Sequence, residues 1–143
     1  VVMDASVFAW ALNAGGHSGK VGSNFGRPHR DNNYSDCHTR DGHISLVTVW
    51  IPVVPVTTNS GCMYVVPALY DTFFAKPADP LHMSPDKHMP WPYIRALPAE
   101  AGDVLLWPGN LIHWGSSCDE NVVVPRRSIG TAFMLLEESH KAN

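Results

Sequence analysis

The chain has 143 residues, 45% of them apolar, which suits one domain with a core of its own. Its net charge is −3 with histidines neutral, so nothing favours nucleic-acid phosphates or an anionic membrane surface as partner. No apolar run approaches the about 18 residues of a membrane span. Three scattered cysteines, Cys37, Cys62 and Cys118, argue against a disulfide scaffold or a CxxC zinc cluster, and reduced thiols point to an intracellular, cytoplasmic setting.

Twelve prolines and eleven glycines, spread throughout, oppose long helices. Residues 1–13 read equally as a strand or a short helix. Strands are predicted at Ile44 to Val56 (ending or bulging at Pro52 and Pro55), Cys62 to Val66, Asp103 to Trp107, Leu111 to Trp114 and Ser128 to Leu136. Between Pro67 and Gly102 the pattern breaks. Pro77, Pro80, Pro85, Pro90, Pro92 and Pro98 deny residues 71–98 regular pairing, so a long loop is expected. Its aromatics, including Phe73, Phe74, Trp91 and Tyr93, suit either a lid on a substrate mouth or a plug for the open end of a barrel. Many short, turn-bounded strands indicate an all-β or mainly β domain spanning residues 1–143. A jelly roll, or double-stranded β-helix, fits the count.

His29-Arg30-Asp31 is the first segment that carries chemistry. On extended backbone, residues i and i+2 share a side, so an imidazole and a carboxylate reach one metal ion. That pair is two thirds of a 2-His-1-carboxylate triad, which leaves open positions on iron(II) as an oxygenase needs. Alone, such a pair is more often a solvated turn. His113, on a short apolar strand after the Pro108-Gly109-Asn110 turn, is the candidate third ligand, although a lone half-buried histidine is more often a satisfied core residue. Arg126 stands at the base of the last strand. A buried arginine needs an anionic partner, and a dicarboxylic co-substrate supplies one through two parallel hydrogen bonds. Ser128, two residues on, faces the same way, and Arg127 faces out.

The ordered set resembles the phytanoyl-CoA dioxygenase family of iron(II)/2-oxoglutarate oxygenases. The matching segments are Pro28-His29-Arg30-Asp31 with Tyr34, Val47-Thr48-Val49-Trp50, Asn59-Ser60-Gly61 to Val65-Val66-Pro67, Ala101-Gly102-Asp103 through His113, and Arg126-Arg127-Ser128-Ile129. The resemblance implies His29, Asp31 and His113 as metal ligands and Arg126 as partner of the far carboxylate of 2-oxoglutarate. It implies Trp50 as a wall of the co-substrate pocket and Tyr34 as a pocket position, although an ordinary buried tyrosine fits Tyr34 equally. It also implies O2 as second co-substrate, release of succinate and CO2, and oxidation of a small organic substrate. A retained Asp31 favours hydroxylation over halogenation. Trp114 replaces the small residue common after the distal histidine and narrows the substrate mouth. With only 28 residues before His29, the expected fold is an N-terminally incomplete core.

Two rivals stay open: a cupin-type metal enzyme without 2-oxoglutarate, and a non-catalytic β-sandwich binding module. His29-Arg30-Asp31 also spells the start of a kinase catalytic loop, but Asp36 stands where that loop needs asparagine. Gly15 to Val21 lacks the spacing of a phosphate loop. His17, His38, His43, His82, His88 and His140 have no partner spacing and are expected at the surface.

Overall fold

The computed structural model describes residues 1–3, 6–12, 26–119 and 121–135. The Gly15-to-Val21 segment, His17 and His140 lie outside these. The undecided N-terminal stretch forms two short strands, β1 (Val2–Met3) and β2 (Phe8–Ala11). A single helical turn, α1 (Tyr34–Cys37), is capped by the Asn33 side chain, which accepts from the Ser35 amide. The remaining strands are β3 (Leu46–Pro52), β4 (Met63–Val65), β5 (Arg95–Leu97), β6 (Leu105–Pro108), β7 (His113–Gly115) and β8 (Arg127–Met134). No helix among the described residues is long and apolar enough to cross a membrane.

The strands form two antiparallel sheets. The larger runs β1-β8-β3-β6, with β2 also on β8; the smaller runs β5-β4-β7. The chain alternates between the sheets from β6 to β7 to β8, so both faces close on a common interior. This is the mainly β jelly-roll topology with little helix that the strand count predicts. β3 alternates Val47, Val49 and Ile51 with Thr48 and Trp50, and this period of two gives it two distinct faces. Its register on β8 sets Trp50 opposite Gly130 and Thr48 opposite Ala132, and the small residues leave room for the indole. Trp50, Val56, Cys62, Met63, Ala99 and Trp107 form one core cluster; Val66, Met89 and Ile112 form a second.

Residues 71–98 depart from the expected loop in two respects. Arg95–Leu97 pairs with β4, because no proline interrupts those three positions and Pro98 falls just beyond them. The segment also turns polar side chains inward. His82 is fully buried, against the expectation of a surface histidine, and Asp71 is 6% exposed. His38 and His88 are half-buried rather than at the surface, each bonded to a backbone carbonyl, Tyr34 and Leu81 respectively.

Candidate metal centre

His29 and His113 face each other across an antiparallel bridge between single residues. The His29 amide donates to the His113 carbonyl (3.1 Å), and the His113 amide to the His29 carbonyl (3.0 Å). The next turn is tied at Gly109, whose carbonyl accepts from the amides of Asp31 (2.9 Å) and Asn32 (3.0 Å). A Cβ at Gly109 would lie 2.7 Å from Asn32 Oδ1 and 2.8 Å from Leu46 Cδ2, so this close approach requires glycine. The expected single strand carrying His29 and Asp31 is therefore one bridge residue followed by a bend. The i, i+2 geometry nevertheless delivers both side chains to one side.

One ligand atom from each of His29, Asp31 and His113 lies within 4.8 Å of the other two. Asp31 Oδ1 is 3.5 Å from Nε2 of both histidines. Each Nδ1 sits against a backbone carbonyl, Arg27 at 2.8 Å for His29 and Leu111 at 3.0 Å for His113. A carbonyl only accepts, so Nδ1 carries the proton and Nε2 keeps its lone pair toward the centre. Thr48 Oγ1 donates to Asp31 Oδ2 at 2.9 Å, which occupies one carboxylate oxygen and leaves Oδ1 toward the imidazoles.

The protonation balance follows from these contacts. Burial opposes charge on His29, but the Asp31 carboxylate and the Arg27 carbonyl outweigh it, and its pKa is raised above 6.5. Burial dominates at His113 and lowers its pKa despite Asp31. Burial opposes ionisation of Asp31 as well, but its hydrogen bond with His29, the field of His113 and the Thr48 hydroxyl together lower its pKa.

The three residues line a cavity of about 320 Å³ between the sheets. Trp50, Met63 and Trp107 form apolar wall, Phe8 and Trp10 of β2 contribute from the edge, and Arg126 also lines it. Arg126 is 4% exposed, and one terminal nitrogen donates to the Gly61 carbonyl at 2.9 Å. Its Nε and Trp107 Nε1 are buried with no hydrogen-bond partner among the described residues. Burial lowers the Arg126 pKa. A guanidinium in the wall of a cavity that also holds a carboxylate and two imidazoles suits an anion beside a metal.

Trp50 and Arg126 thus join the cavity of the triad, and Arg127 faces outward as expected. Ser128 is 2% exposed but does not line the cavity. Tyr34, Trp114, Trp91 and Tyr93 do not line it either. Tyr34 stacks on His38 at 3.9 Å, Trp114 stacks on Tyr64, Tyr93 stacks on Tyr70 at 3.9 Å, and Trp91 is 67% exposed. These rings meet an aromatic neighbour or solvent, and Trp114 also packs against the second core cluster, instead of entering the cavity. No residue of 71–98 lines the cavity. From this segment Met89 packs with Val66 and Ile112 in the second core cluster. Sequence reasoning missed Thr48, Met63, Trp107 and the β2 aromatics. Thr48 had a signal, since it shares a strand face with Trp50 two residues on.

Fold and cavity together define a jelly-roll protein with a candidate three-residue metal centre between its sheets. The chain belongs to the phytanoyl-CoA dioxygenase (PhyH) family, whose model matches residues 9–117. A search of curated proteins finds no significant match. Among solved structures, the fold is similar to the non-heme alpha ketoglutarate dependent epimerase SnoN from nogalamycin biosynthesis (22% identity, TM-score 0.55, covering 90% of this chain and 46% of that one). It is also similar to the carbocyclase SnoK from the same biosynthesis (22%, 0.53, 76% and 42%). EctD from S. alaskensis, solved with 2-oxoglutarate and 5-hydroxyectoine, shows the fold at 14% identity (0.50, 78% and 39%). The chain spans less than half the length of each of these structures.

Proposed function

We propose that this chain forms the core, as a single domain over residues 1–143, of an iron(II)- and 2-oxoglutarate-dependent oxygenase acting on a small organic substrate. The observation that carries the reading is the convergence of one carboxylate and two imidazoles in a cavity that also contains a buried arginine with an unpartnered Nε. The donor set suits iron(II), which two neutral imidazole nitrogens and one carboxylate oxygen would hold, with the co-substrate and O2 needed for the chemistry. Iron(II) with 2-oxoglutarate supplies oxidative decarboxylation to succinate and CO2, coupled to oxidation of a substrate C–H bond.

The protein's own part is positioning and shielding. His29 and His113 present Nε2 because their Nδ1 protons are held by carbonyls. Thr48 aims Asp31. Arg126 receives the far carboxylate of the co-substrate, and Trp50, Met63 and Trp107 keep water from the reacting atoms. Hydroxylation is the reaction class favoured by a retained Asp31 carboxylate, which would ligate the iron where the resemblance implies that related halogenases have a small residue. SnoN and SnoK are an alpha ketoglutarate dependent epimerase and carbocyclase, so oxidation at a substrate carbon is the coarser reading and hydroxylation the finer one. Arg126 weighs against a cupin-type enzyme without 2-oxoglutarate, and the converging triad weighs against a binding module. The three free cysteines support a reducing, cytoplasmic setting.

The test is succinate release from 2-oxoglutarate with iron(II), measured with and without candidate substrates. Release by the wild-type protein that His113→Ala abolishes is the expected result. Retention of full release in His113→Ala would remove the triad from the reaction.

A further inference from the structure

Arg30 stands between His29 and Asp31, so its side chain leaves the backbone on the side opposite the candidate ligands. It is 5% exposed. Its guanidinium lies 2.7 Å from the Asp71 carboxylate, with both side chains fully buried. Nε donates to the His82 carbonyl and a terminal nitrogen to the Asn110 carbonyl, each at 2.6 Å. The acceptors are themselves held. Asn110 Nδ2 donates to the Phe74 carbonyl at 3.1 Å. His82 Nδ1 donates to the Phe73 carbonyl at 2.8 Å, and its Nε2 accepts from the Tyr34 amide at 3.1 Å. One arginine therefore joins the ligand loop, the turn that precedes His113, and residues 71–82.

Among the described residues, the backbone–backbone bonds of residues 29–32 run to Gly109 and His113. They fix the loop along one line and leave rotation about it to other contacts. Arg30 supplies a second line of attachment on the far side. A buried ion pair contributes little net stability compared with apolar side chains of the same volume, so stability alone is a poor reason for this one. A planar guanidinium held by two backbone carbonyls, with a carboxylate at ion-pair distance, does set orientation.

Resting on the metal reading above, we propose that Arg30 is a positioning residue, which sets the mutual orientation of His29 and Asp31 through its buried pair with Asp71. Residues 71–82 are then the anchorage of the metal centre from behind.

The test uses Co(II) as probe, read by its visible absorption, which reports coordination number, and by its affinity. Asp71→Asn keeps an acceptor oxygen but removes the charge. The double variant Arg30→Met with Asp71→Leu replaces the whole pair by apolar bulk and leaves no lone buried charge of the kind Asp71→Asn leaves at Arg30. Both are expected to weaken Co(II) binding about tenfold to a hundredfold and to change the spectrum. Val56→Ala, in the core cluster but not in the cavity wall, lowers the melting temperature without altering the spectrum. A wild-type spectrum and affinity in both pair variants would overturn the proposal while leaving the metal centre standing. A Co(II) spectrum that His113→Ala leaves unchanged would overturn the metal reading, and this proposal with it.

Discussion

Gly115 leaves the space that the Arg126 guanidinium fills. A Cβ at Gly115 would overlap one terminal nitrogen of Arg126 and lie 3.0 Å from its Cζ. Gly115 is two residues past His113 on β7, so the strand that presents a candidate metal ligand also makes room for the candidate co-substrate anchor.

Gly115→Ala is therefore expected to weaken 2-oxoglutarate binding by tenfold or more with Co(II) affinity near wild type. Isothermal titration of each ligand in turn checks this. Equal losses for metal and co-substrate would mean that the variant disturbs β7 as a whole.

Arg126→Ala removes the anchor outright. Loss of one partner of a buried charged pair costs about 3–5 kcal/mol, which corresponds to more than a hundredfold in affinity. Arg127, exposed at the start of β8, is the control. If Arg127→Ala loses 2-oxoglutarate and Arg126→Ala does not, the assignment of the anchor is wrong.

Thr48→Val keeps the shape and removes the hydroxyl that holds Asp31 Oδ2. Metal affinity should fall about tenfold, in the range usual for partners of metal ligands. The melting temperature of the metal-free protein should change by only a few degrees, since a single hydrogen bond is worth about 1 kcal/mol. Unchanged Co(II) affinity would show that Asp31 needs no such orientation.

Metal binding should weaken on acidification, with His29 as the first group to protonate. Its pKa is raised above 6.5 and that of His113 is lowered, and metal needs both imidazoles neutral. Co(II) affinity should begin to fall above pH 6.5 and drop tenfold per pH unit below the raised value. The metal-free fold responds in the opposite sense. The His29 contribution to stability is fully present below pH 6.5 and is lost as pH rises through the raised value. Asp31 adds stability above 3.8 that is lost as pH falls through its lowered value. Affinity constant between pH 8 and 5.5 would contradict this order of protonation.

The strands and the His29/Asp31 pair were legible in the sequence because both depend on local spacing, whereas His113 as third candidate ligand came from the resemblance. Period-two alternation marks β3, and the i, i+2 rule brings His29 and Asp31 to one side whether or not the backbone is a full strand. Arg126 and outward-facing Arg127 follow from the same alternation. The residues that complete the site obey no such rule. Thr48 reaches Asp31 across 17 positions, and Arg30 reaches Asp71 across 41. Which aromatic lines the cavity was likewise undecidable from residue type. Trp50 and Trp107 enter it, but Tyr34 and Tyr93 stack on other rings and Trp91 is exposed. Periodicity assigns a side chain to a face of its own strand; which element covers that face is decided by the packing of two sheets and of residues 71–98, through contacts between positions that sequence spacing does not relate.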